Sequence, residues 1–246
     1  MWFSRQRGEP RALMPRLIAC AALLLIGCVP VVAAEAAPKR QPESAVCDPS
    51  ADYFLGTEDY HSAIRSHLAV LTHDPNNALA HYHLGFAYGM VGQTGDEIRE
   101  YQQAVALGLR VFDLFLNLGL ARFESGDLIG ATEALITSSA LTSGPEPRFD
   151  LGLVYERRGM LREAESELLE ALAIAPDRSE YLNMLAVIAA ERGEIVRARS
   201  IWTSILSRDP QDESAAANLR LLETAYLATP KSVALRGAPA AEAALR

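Results

Sequence analysis

All five histidines of the chain lie between His61 and His83, a crowding that raises the question of metal chemistry. A metal site needs two or three ligands that converge on one point. His61, His67 and His73 are each six residues apart, which on a single helix sends the three rings in different directions. His81 and His83, two apart, diverge for the same reason. The expectation is no metal and no cofactor, with the histidines in ordinary surface or core positions. Cysteine adds little. Cys20 and Cys28 lie in or at the edge of an N-terminal apolar stretch, and only Cys47 remains in the body. One thiol makes neither a disulfide framework nor a zinc site by itself.

Other chemistry is equally hard to find. The chain has no Gly-x-Ser-x-Gly elbow, no His-Glu-x-x-His, no phosphate loop and no dinucleotide glycine fingerprint. Carboxylates such as Glu163, Glu165 and Glu167 follow a solvated helix face. No catalytic residue is expected, and the chain reads as a non-enzyme. Composition narrows the partners. With 50% hydrophobic residues among 246 a substantial core is within reach, and with only 7% aromatics the mix suits helices better than strands. The formal net charge is −8, and four arginines sit within residues 1–27, so the body is more acidic still. Such a body repels phosphate backbones, and nucleic acid is not an expected partner.

The elements that carry these residues begin with an export signal. Arginines come first, and Leu17 to Ala34 carries no charge. Three outcomes compete. Leu25-Ile26-Gly27-Cys28 resembles a bacterial lipobox, which would make Cys28 the lipidated N-terminus after removal of residues 1–27. Read from Met14, the same stretch is a compact signal of that kind. Ala34-Glu35-Ala36 offers an ordinary cleavage site, giving a soluble secreted or periplasmic product. Leu17 to Ala34 is also long enough for an uncleaved anchor, although Pro30 interrupts it. All three place the body outside the cytoplasm, and residues 28–48 read as a tether.

Self-similarity organises the rest. Ala51, Gly85, Gly119, Gly152 and Ala186 are spaced by 34, 34, 33 and 34 residues. Ala63, Ala131, Ala164 and Ala198 each follow their anchor by 12, and Gly92, Gly126, Gly159 and Gly193 by 7. Pro75, Pro176 and Pro210 each follow the alanine of their repeat by 12. Two antiparallel helices with short loops use about this many residues. Small residues on both helices permit a close crossing, a glycine ends the first helix, and a proline closes the second. Asp48-Pro49 reads as an N-cap and first helical residue, so the first helix of the array is short. Glu97 departs from the pattern, since a carboxylate stands where alanine is expected at the crossing. A register shift near Gln93-Thr94-Gly95 is expected to relieve it. Ser143 to Pro147 reads as a loop one residue short. Glu213 to Tyr226 forms a last unpaired helix pattern, and residues 229–246 read as a disordered tail.

The segments His83-Leu84-Gly85-Phe86-Ala87-Tyr88 and Asp150-Leu151-Gly152-Leu153-Val154-Tyr155 resemble the first helix of a tetratricopeptide repeat. Ala164 to Leu168 and Ala171 to Pro176 resemble the second, and His73-Asp74-Pro75-Asn76-Asn77 resembles the usual junction. The resemblance implies an all-α, right-handed superhelical solenoid of about five repeats plus a capping helix over residues 49–228. In such arrays first helices line a concave face. Periodicity then nominates a partner-binding groove of Tyr82, Phe86, Leu116, Asn117, Leu120, Phe123, Phe149, Asp150, Leu153, Asn183 and Val187. The competing reading is that these side chains only pack helix against helix. Trp202 and Tyr101 are expected in the core. The apolar stripe does not suit a carboxylate clamp. The chain is similar in layout to bacterial tetratricopeptide lipoproteins, which implies a scaffold or adaptor tethered in the cell envelope and binding one or more envelope proteins. The alternatives are a small-ligand or glycan module, or a substrate-recruiting subunit of a separate enzyme.

Overall fold

The computed structural model of the protein describes residues 47–228. The expected export signal, the expected lipidation site Cys28, the greater part of the expected tether and the expected disordered tail lie outside the described residues. Among those residues there are eleven helices and no strand. They are α1 (Pro49–Gly56), α2 (Tyr60–His73), α3 (Ala78–Met90), α4 (Thr94–Ala106), α5 (Phe112–Ser125), α6 (Leu128–Leu141), α7 (Glu146–Arg157), α8 (Leu161–Ile174), α9 (Ser179–Glu191), α10 (Ile195–Arg208) and α11 (Glu213–Ala228). No helix is long and apolar enough to cross a membrane among the described residues.

Local chemistry sets the helix ends. Asp48 accepts from the backbone N–H groups of Ser50 and Ala51, Asp59 from that of Ser62, Asn77 from Ala80 and Asp127 from Gly130. Gly92, Gly126, Gly159 and Gly193 turn the chain between paired helices with φ of 77°, 86°, 71° and 78°. In the first pair a glutamate, Glu58, holds that left-handed position at φ 60°. α7 starts at Glu146, so Pro147 belongs to a first helical turn rather than to a loop.

The helices pair as α1/α2, α3/α4, α5/α6, α7/α8 and α9/α10, and each second helix packs on the next first helix. Successive first helices touch one another, whereas among the described residues no such contact joins successive second helices. First helices therefore form an inner row and second helices an outer one. The result is an all-α solenoid of five helix pairs closed by α11. Its small residues sit where expected: a Cβ on Gly119 would lie 2.6 Å from Leu135, and one on Gly152 3.0 Å from Leu168. Trp202 and Tyr101 are fully buried.

The register shift expected around Glu97 does not occur. α2, α4 and α6 begin at matching repeat positions, and Glu97 stays at the crossing, completely buried. Its carboxylate fits because the facing first helix has Gly89, where an added Cβ would lie 2.5 Å from Glu97 Oε1. The core is uneven along the array. The largest cluster spans α7 to α11, while the N-terminal pair contributes to a small one built on Leu55, Ala63, Phe86 and Ala87.

Candidate functional site

The inner row does not present the apolar groove read from periodicity. Tyr82, Phe86, Leu116, Asn117, Leu120, Phe149, Asp150, Leu153 and Val187 are all buried, none more than 6% exposed. Their neighbours account for it. The Tyr82 ring lies 5.8 Å from that of Tyr101, Phe149 stacks on Tyr181 at 4.5 Å, and Phe86 meets Tyr60 edge-on at 6.3 Å. Leu116 and Leu120 pack with Ala131, Leu135, Leu151 and Val154. The stripe is thus the packing surface between repeats, the second of the two readings. Asn183 is half-buried and committed inward: its Oδ1 accepts from Trp202 Nε1 at 2.6 Å and from Asn218 Nδ2 at 3.2 Å. Phe123 is half-buried beneath the Arg157 guanidinium, 5.2 Å from its ring centre. A glycan platform needs several open aromatic faces, and of Tyr82, Phe86, Phe123 and Phe149 only Phe123 reaches solvent in part.

Exposed apolar side chains concentrate instead on the outer row. Leu68, Ile136 and Leu169 occupy one repeat position of α2, α6 and α8, and all are exposed. Leu107, Leu141 and Ile174, at the C-terminal ends of α4, α6 and α8, repeat at a second position. Ile129 and Val196, at equivalent places in α6 and α10, are 67% and 80% exposed. This surface escaped the sequence reading because a second helix shows the same amphipathic period whether its outer residues are polar or not. The nearby cavity between α4, α5 and α6, bordered by Val105, Phe115, Leu118 and Arg122, measures ≈ 230 Å³. That is below the roughly 300 Å³ at which small-molecule pockets begin.

The histidines give a second surprise. His61 and His73 are exposed, and His81 bonds to Glu100 Oε2 at 2.8 Å and to the Pro75 carbonyl at 3.1 Å. His67 of α2 and His83 of α3, both buried, turn toward one another from adjacent helices, ring centres 5.4 Å apart. Asp52 of α1 and Cys47, just ahead of α1, meet them there. Asp52 Oδ1 lies 2.7 Å from His83 Nδ1, 3.2 Å from His67 Nε2 and 3.3 Å from Cys47 Sγ. Cys47 Sγ lies 3.4 Å from His83 Nδ1. The divergence argued from sequence holds along one helix and fails across three.

Burial and the adjacent Asp52 carboxylate push the Cys47 thiol up to about 12. For Asp52, burial acts upward, but charge on His83 and hydrogen bonds from Cys47 and His67 outweigh it and hold the carboxyl below its ordinary value. Burial lowers His83 against the pull of Asp52.

No family model matches the chain. Tetratricopeptide repeat protein 8 of Caenorhabditis elegans is 26% identical over 149 residues, which cover 59% of this chain and 29% of that protein. The chain thus spans about three tenths of the length of this curated relative. Among solved structures, MamA is 25% identical with a TM-score of 0.61, covering 65% of this chain and 88% of its own. YrrB, described as a TPR protein with an unusual peptide-binding site, is 20% identical with a TM-score of 0.65, covering 69% of this chain and 88% of its own.

Proposed function

The chain is a tetratricopeptide repeat protein, and from that premise we propose a scaffold that holds a protein partner at the cell envelope. Export through the N-terminal signal, with a lipid on Cys28, keeps it membrane-tethered, and the repeats display a binding surface to a peptide or helix of an assembling complex. The repeats themselves support only the general role of protein binding. The envelope location rests on the lipobox-like Leu25-Ile26-Gly27-Cys28. The observation that carries the reading is the register-matched row of exposed leucines and isoleucines on the outer helices. These side chains contribute little to the core, and solvent-exposed apolar surface that repeats in register offers a partner regular anchor points.

The test is a crosslinked pull-down from membranes with the native chain and an Ile136→Glu, Leu169→Glu variant. Both residues are exposed, so the variant is expected to keep native helix content. A Phe86→Glu, Leu120→Glu variant would instead place carboxylates in the core and report on folding. Capture of a partner by the native chain and its loss from the outer-row variant is the expected result. Equal capture by both sinks the outer-row assignment. A parallel Met90→Glu, Arg157→Glu variant, altered at exposed first-helix positions, then tests the inner row.

A further inference from the structure

The four side chains gathered at the N-terminal end form a set for which the scaffold role has no use. We propose that Cys47, Asp52, His67 and His83 bind one zinc ion, which staples the segment entering the array to its first three helices.

The geometry is that of a ligand set. One ligand atom from each of Cys47, Asp52, His67 and His83 lies within 4.8 Å of all the others. Four of the separations run from 2.7 to 3.4 Å. Around a tetrahedral zinc with bonds of about 2.0–2.3 Å, ligand atoms stand roughly 3.3–3.6 Å apart, so little adjustment is needed. One sulfur, two imidazole nitrogens and one carboxylate oxygen suit an ion of borderline softness. A thiolate and a carboxylate with two neutral rings carry two negative charges, which a divalent ion neutralises.

The hydrogen bonds around the cluster aim these atoms inward. Asp52 Oδ2 accepts from the Cys47 backbone N–H at 2.9 Å, which leaves Oδ1 to face the others. His67 Nδ1 lies 2.8 Å from the Ala63 carbonyl oxygen, which only accepts, so Nδ1 carries the proton. Nε2 then faces the Asp52 carboxylate from 3.2 Å, as a donor when protonated and as a metal ligand when not, and the His67 side chain is fully buried. Either a proton on Nε2 or a metal ion satisfies this contact, and a zinc ion bound there takes the proton's place. A backbone carbonyl fixing the far nitrogen is also the usual support of a metal-bound histidine. Binding releases the Cys47 thiol proton to solvent as the sulfur–metal bond forms.

The ion's position explains its purpose. The N-terminal pair has the smallest apolar cluster of the array, and α1 has only eight residues. A four-ligand site closed by side chains from α1, α2, α3 and the preceding segment supplies the cross-link that packing there does not.

The test uses the full chain without a polyhistidine tag, stripped with a strong chelator and titrated with zinc against a chromogenic competitor. One zinc per chain is expected, with affinity falling at least about a hundredfold in Cys47→Ser and in Asp52→Asn, each checked for native helix content. Zinc is expected to raise the melting temperature of the native chain by several degrees and to leave that of the variants nearly unchanged. Cobalt in place of zinc is expected to give the intense visible bands of a tetrahedral site and a thiolate-to-metal band. That band should persist in Cys20→Ser, Cys28→Ser and vanish in Cys47→Ser. The proposal is overturned if the stripped chain takes up no zinc, if both variants bind as the native chain does, or if the thiolate band follows Cys20 or Cys28. Should a ligand variant lose its fold, the cobalt spectrum of the Cys20→Ser, Cys28→Ser chain decides alone.

Discussion

Glu58 stands where four other helix pairs have glycine, in the left-handed backbone region at φ 60°. A side chain there crowds the following carbonyl, while the surrounding turn is held by hydrogen bonds from Glu58 N–H to the Leu55 carbonyl at 3.2 Å and from Asp59 N–H to the Phe54 carbonyl at 2.9 Å. Glu58→Gly is therefore expected to stabilise the first pair by about 0.5–1 kcal/mol, once the strain relieved is set against glycine's greater unfolded-state freedom. Slower hydrogen exchange of the α1 and α2 amides would register the gain, and unchanged exchange would refute it. Asp52 shows a different economy at the same scale. It lies in the first turn of α1, where a carboxylate suits the helix dipole, and from there one of its oxygens serves three neighbours.

Between elements, the close crossing of paired helices turns a methyl group into a measurable quantity. A Cβ on Gly85 would fall 2.6 Å from Tyr101 Cδ1, inside the packed core. Gly85→Ala is expected to cost about 1–3 kcal/mol in urea denaturation. Gly95→Ala, in α4 with nothing within 4 Å of its added Cβ, is expected to gain up to about 1 kcal/mol instead. Equal effects would mean that the crossing is looser than its geometry. The same contrast explains what was legible beforehand. Gly119 and Gly152 with their partner alanines, and Gly85 at the same spacing, betray the helix pairs because a steric demand recurs at fixed intervals. Tyr82, Phe149 and Leu120 are buried between repeats and not in an open groove, because periodicity says which side of a helix is apolar and not whether a neighbour covers it. The place of Glu97 is not legible in the sequence because its accommodation depends on Gly89, a residue of a different helix. Cys47, Asp52, His67 and His83 were invisible as a group, since they converge only once three helices are stacked.

Over the whole array, contacts run between neighbours, so stability is a sum of local terms that pH can alter one interface at a time. Partial desolvation, with the Glu156 carboxyl group of α7 close by, pushes Glu191 of α9 up to about 7, and the two carboxyl groups share a hydrogen bond. A raised carboxyl favours the protonated fold. Its contribution is complete below the ordinary glutamate value near 4.5 and is lost as pH rises through about 7. Glu191 is exposed, so solvent screens the effect and its size stays modest. Glu191→Gln is expected to flatten this part of the pH dependence. The variant's advantage in melting temperature over the native chain should widen between about pH 5 and pH 8. A constant difference across that range would show that the pair does not titrate as a unit. The uneven core has a mechanical meaning as well. Any load applied through the residues ahead of Cys47 meets the N-terminal pair first, where the apolar cluster is smallest, and must peel α1 away before it reaches the broad cluster of α7 to α11. Under tension applied from that side, opening is expected to start at this first joint, so its strength bears on how much pull the array withstands.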